Sequence, residues 1–115
     1  MTGIRLAREE GAVVVIARGE LDAFNASELI ETFGEASDGA GFVIDLSRVS
    51  FMDSTALGCV VRKVNEVVEG GGRASVVLPQ TTARRIFEIT TLDRVLPIAG
   101  TRNEALRDVA AGESA

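Results

Sequence analysis

The chain has 115 residues, 46% of them hydrophobic and 25% charged, which is enough apolar material for a core in one domain and excludes a disordered chain. Its 17 acidic residues outnumber 12 basic ones for a net charge of -5, and it lacks Tyr and Trp, so it carries neither a basic stripe nor the full stacking set of a nucleic-acid binder. One cysteine, Cys59, rules out an intrachain disulfide, and the absence of histidine removes the common zinc and haem ligand sets, so no cofactor is expected.

Ile4 to Arg8 alternates apolar and polar residues, and Ala12 to Ala17 is a β-branched apolar run, with Glu9, Glu10 and Gly11 between them as a turn. This predicts a hairpin whose second strand is covered on both faces and ends at Gly19. Asn25 followed by Glu28 predicts a capping box opening a helix, with Phe24 and Leu29 as a hydrophobic staple and Leu29, Ile30 and Phe33 as its buried stripe. Gly39 and Gly41 mark its exit. Phe42 to Leu46, bounded by Ser47 and Arg48, predicts a buried strand. A second helix carries Leu57, Val60, Val61, Val64, Val67 and Val68 at helical spacing and stops at Gly70, Gly71 and Gly72.

Ala74 to Leu78 predicts a further strand ended by Pro79, and Thr81 or Thr82 caps a helix bearing Ala83, Ile86, Phe87 and Ile89. A last short strand is expected at Val95 to Ile98 and a terminal helix from Asn103 to about Ala110, with Ala105, Leu106 and Val109 inward. The expected architecture is α/β: a mixed sheet of four to five strands with about four helices, one domain over residues 1–111 and a frayed tail over 112–115. A polar start and the lack of an 18-residue apolar window lead to the expectation of a cytoplasmic protein without membrane insertion.

Catalytic sets are missing. No histidine can serve as base for a Ser or Cys nucleophile, and Cys59 reads as a core-edge thiol. No P-loop sequence occurs, and the glycine triplet follows a helix rather than opening one. The acidic pairs Glu9–Glu10 and Glu20–Asp22 read as solvated charge, and Arg84–Arg85 as a solvent-facing helix surface. An enzyme is not expected.

Ser50 to Gly58 places an Asp, two hydroxyls and small residues at the mouth of a helix with unsatisfied amides. By pattern alone, Asp53 or Ser54 is a helix cap. The stretch Met52-Asp53-Ser54-Thr55-Ala56-Leu57-Gly58 also resembles the M-D-S-[ST]-G-L-G signature of the STAS family of anti-sigma factor antagonists. Gly19 to Asp22, Val43 to Ser47 and Arg84 to Thr90 extend the similarity over most of the chain.

The resemblance implies a partner-switching protein. Ser54 would be phosphorylated by an anti-sigma factor that is also a serine kinase; the unphosphorylated chain would capture that kinase and free a sigma factor, and a serine phosphatase would reset the cycle. Asp22, Asp53, Thr55, Ala56, Leu57 and Gly58 would form the partner-binding region, in a monomer or weak dimer. Related domains also serve as non-cycling subunits of stress-signalling scaffolds or lipid-transport complexes, which is the alternative. Two positions depart from the family pattern: Ala56 stands for the motif glycine, and Thr91 for a glycine after the third helix. If Ala56 lies in the first helical turn, alanine is the better helix former, and that is the expectation.

Overall fold

The computed structural model describes residues 3–36 and 41–110. In chain order these form β1 (Gly3–Glu9), β2 (Ala12–Leu21), α1 (Ala26–Glu35), β3 (Gly41–Met52), α2 (Ser54–Glu69), β4 (Arg73–Val77), a 3-10 turn (Thr82–Arg84), α3 (Arg85–Ile89), α4 (Leu92–Val95), β5 (Ile98–Ala99) and α5 (Arg102–Ala110). The five strands lie in the order β1-β2-β3-β4-β5, with β1 antiparallel to β2 and the other pairs parallel. The mixed α/β sheet expected from the sequence is therefore present, with five strands and five α-helices, two of them very short.

The hairpin turn is tighter than expected. Glu9 pairs with Ala12, leaving Glu10 (φ 51°) and Gly11 (φ 82°) as a two-residue connection whose two positive φ values match the twist of the flanking strands. Nor does Gly19 end β2. At φ 82° it sits where the β2–β3 register shifts, and the strand continues to Leu21 opposite Met52. β3 likewise runs past Ser47 and Arg48 to Met52.

α1, α2 and α3 cover one face of the sheet through Leu29, Phe33, Leu57, Val60 and Phe87, which pack with Val13, Val15 and Ile44. Burying each such side chain contributes about 1.5–3 kcal/mol. The other face is covered by α5, whose Ala105, Leu106 and Val109 meet Val14, Val43 and Val77 as the spacing predicts. A Cβ on Gly41 would stand 2.9 Å from Val109 Cγ2, so glycine there sets how closely α5 approaches β3.

Several apolar assignments fail for local reasons. Phe24 is 96% exposed and forms no staple; Ile30, Val68 and Ile89 lie on the outer sides of their helices. Val95 is exposed at the end of α4, and the last strand is Ile98–Ala99 instead of Val95 to Ile98. Thr81 caps the 3-10 turn by accepting from the Ala83 amide, and its hydroxyl donates to the Val49 carbonyl. Gly39 and the expected frayed tail lie outside the described residues.

Candidate functional site

β2 and β3 are neighbours and parallel, so their carboxyl ends deliver Asp22 and Asp53 to the same end of the sheet. The Asp53 amide donates to the Leu21 carbonyl at 3.0 Å, which extends the pairing by one step. α2 begins at the next residue. Asp53 is its N-cap: Oδ1 accepts from the Ala56 amide at 3.0 Å. Its Oδ2 accepts from the Ala23 amide at 3.0 Å, so one carboxylate caps α2 and holds the β2–α1 loop.

That loop is built from side-chain bonds. Asp22 Oδ1 accepts from the Phe24 amide at 3.0 Å, an Asx turn. Asn25 Oδ1 accepts from the Asp22 amide at 2.9 Å, and Asn25 Nδ2 donates to the Glu20 carbonyl at 2.7 Å. Asn25 occupies the N-cap position of α1 but makes no side-chain cap bond, so the expected capping box does not form. Its side chain shapes the loop instead.

Ser54 and Thr55 are exposed at the first two positions of α2. Asp22 and Asp53 are half-buried beside them, and Phe24 projects into solvent from the intervening loop. Ala56 and Leu57 point the other way: at 0% and 5% exposure they are core residues, which removes their side chains from any outer surface. Gly58 is half-buried within the helix. Ala56 lies in the first helical turn, with no positive φ, as the sequence reading preferred. Thr91, by contrast, adopts the left-handed conformation (φ 58°) that the family glycine would adopt freely.

Residues 4–105 match the STAS domain. The chain belongs to the STAS domain family. This STAS chain is 33% identical to the anti-sigma-B factor antagonist of Bacillus subtilis over 93 residues, covering 80% of this chain and 85% of that one. A solved anti-sigma factor antagonist from Mycobacterium paratuberculosis superposes with a TM-score of 0.84 at 29% identity, covering 95% of this chain and 94% of that one. The phosphorylated form of the Bacillus cell fate determinant SpoIIAA superposes with a TM-score of 0.68 at 26% identity, covering 90% and 96%.

A second polar cluster of this STAS domain escaped the sequence reading. Asp45, 3% exposed in the middle of β3, receives Arg102 Nε at 2.8 Å and the Ser47 amide at 2.9 Å. Arg102 also donates from Nη1 to Glu9 Oε2 at 3.0 Å, so Glu9 is a structural partner and not simply solvated charge. Burial pushes the Asp45 carboxyl up, but hydrogen bonds from Ser47 and Arg102 and the arginine's charge outweigh it and hold it below the usual carboxylate range. The Asp45 hydrogen bond raises the Arg102 pKa against the opposing effect of burial. No periodic pattern could have announced a pair 57 residues apart.

Cys59 is buried, as a core thiol. Among the described residues, no group of three or more Cys, Asp or Glu is placed to hold a metal ion, and no helix is long and apolar enough to cross a membrane.

Proposed function

We propose that this STAS domain is an anti-sigma factor antagonist that captures a serine-kinase anti-sigma factor and is released from it by phosphorylation of Ser54. The observation that carries this reading is the exposed Ser54 hydroxyl at the first position of α2, directly after a cap residue that also fixes the neighbouring loop. The named relatives, two of them anti-sigma factor antagonists and one solved in a phosphorylated form, support the same reading.

The position suits a switch that leaves the fold intact. Phosphorylation adds a charge of about -1.5 to -2, which the first amides and the dipole of α2 tolerate. Because the Asp53 cap bonds use the carboxylate and not the Ser54 hydroxyl, the modification breaks no hydrogen bond on which α2 depends. What changes is the surface. A docked partner would desolvate the new charge beside Asp22 and Asp53, and the like-charge cost weakens the complex. The proposed docking surface comprises Asp22, Asp53, Ser54 and Thr55, with Phe24 as its apolar element; Thr55 serves as a first-turn hydroxyl. A serine phosphatase restores binding, and the protein itself performs no chemistry.

The test is intact mass after incubation with ATP and candidate anti-sigma kinases of the same genome, followed by binding assays. One added phosphate that is lost in Ser54→Ala supports the reading. Ser54→Ala is expected to bind its kinase persistently and Ser54→Asp at least about tenfold more weakly, with both variants folded. Equal affinities would sink the electrostatic switch. No phosphate from any candidate would shift the balance to a non-cycling scaffold or transport subunit.

A further inference from the structure

Between β2 and α1 the chain turns in four residues, Asp22 to Asn25, and every backbone amide of the turn has an acceptor. The Asp22 amide donates to Asn25 Oδ1 at 2.9 Å and the Ala23 amide to Asp53 Oδ2 at 3.0 Å. The Phe24 amide donates to Asp22 Oδ1 at 3.0 Å and the Asn25 amide to the Asp22 carbonyl at 3.2 Å. Asn25 Nδ2 adds a bond to the Glu20 carbonyl at 2.7 Å. Amides of a surface loop are free to bond water, so a turn tied at every donor is held in one shape by its own side chains and by Asp53.

The phenyl ring on this turn takes no part in holding it. Phe24 is 96% exposed, against 49–74% for the other exposed large apolar side chains among the described residues. A scattered exposed apolar residue needs no account. Here, however, the fold uses only the backbone amide of residue 24, which any residue but proline supplies, while the ring is held out on a fixed support.

We propose that Phe24 is the anchor by which the anti-sigma kinase is captured, its ring entering an apolar pocket on that partner, and that Asn25 and Asp53 are positioning residues that hold the ring in its bound geometry. The inference rests on the capture of a kinase proposed above and names how that partner is held. Interface hot spots are few, enriched in aromatic residues and ringed by polar contacts. Phe24 stands in such a setting, with Asp22, Asp53, Ser54 and Thr55 around it. A ring already fixed by its loop loses little freedom on docking, so more of its burial appears as affinity. Asp53 ties the anchor to the switch: the carboxylate that holds the Ala23 amide belongs to the residue before Ser54, so ring and hydroxyl meet one partner together. The occupant is a protein rather than a lipid surface, because the carboxylates beside the ring oppose anionic headgroups. A second copy is disfavoured as well, since an isologous contact would set the same carboxylates against each other.

The experiment measures the affinity of the full chain for the kinase that phosphorylates it, together with the kinetics of Ser54 phosphorylation. Phe24→Ala removes only exposed atoms and stays folded, as thermal unfolding checks, and is expected to bind at least about tenfold more weakly. It raises KM for phosphorylation and leaves kcat within about twofold, because the ring binds ground state and transition state alike. The control Val68→Ala, 53% exposed and about 20 Å from Ser54 along α2, changes neither. Asn25→Ala is expected to weaken binding about threefold or more, and to have no further effect once Phe24 is alanine, a coupling that a purely structural role does not produce. Equal affinity of Phe24→Ala and wild type, with Ser54 still phosphorylated, would overturn the anchor and leave the Ser54 reading standing. A wild-type chain that no candidate kinase binds or phosphorylates would remove both. Phe24-dependent self-association or binding to anionic vesicles, with kinase affinity unchanged, would overturn the anchor in favour of a second copy or a membrane.

Discussion

Asp53 serves two elements with one carboxylate, and that is why a helix-cap reading of the motif and a functional reading do not compete: the cap fixes the geometry in which Ser54 is presented. Asp45 shows the opposite relation between sequence and role. It lies in an apolar run and looks like an interruption, yet it is tied to Arg102 and the Ser47 amide. Its folded-state pKa is lowered, so its contribution to stability is fully present above the ordinary carboxylate value of about 3.9 and is lost as pH falls through the lower folded value. Asp45→Asn is expected to cost about 2–3 kcal/mol at neutral pH, because Arg102 loses its buried partner while keeping Glu9, and to flatten the loss of stability below about pH 4. Chemical denaturation across pH 2.5 to 7 checks both.

At the scale of elements, helix faces and the central strands were legible because burial imposes period on sequence. The stripes of α2 and α5 and the two-sided β2 run follow that rule. Boundaries were not, since β2 continues past Gly19, where its register with β3 shifts by one residue, although glycine usually ends a strand, and Leu92 to Val95 takes a helical turn that four residues cannot advertise. Two glycines separate packing from propensity. Gly41→Ala is expected to destabilise by about 1–3 kcal/mol by pushing α5 off β3. A Cβ on Gly58, inside α2, meets nothing within 4 Å, so Gly58→Ala is expected to stabilise by about 0.5–1 kcal/mol. Denaturant midpoints for the pair should move in opposite directions.

For the molecule as a whole, the sheet's two edges govern association. β1 presents Arg5 and Arg8 along one edge, and β5, at two residues, offers almost no template at the other. Light scattering at tens of micromolar is therefore expected to give the mass of a single chain, or a dimer that dissociates on dilution. A stable large assembly would support the scaffold alternative over the switch.

The sequence alone determined the α/β class with its mixed sheet, the two main helix faces and the motif holding Ser54, because each is written in local periodicity or in contiguous residues. Only the tertiary structure decided that Phe24 faces solvent, that Asn25 builds a loop instead of capping a helix, and that Glu9, Asp45 and Arg102 form one network. These depend on which strands lie side by side and in what register, and residues as distant as 9 and 102 carry no local trace of that pairing.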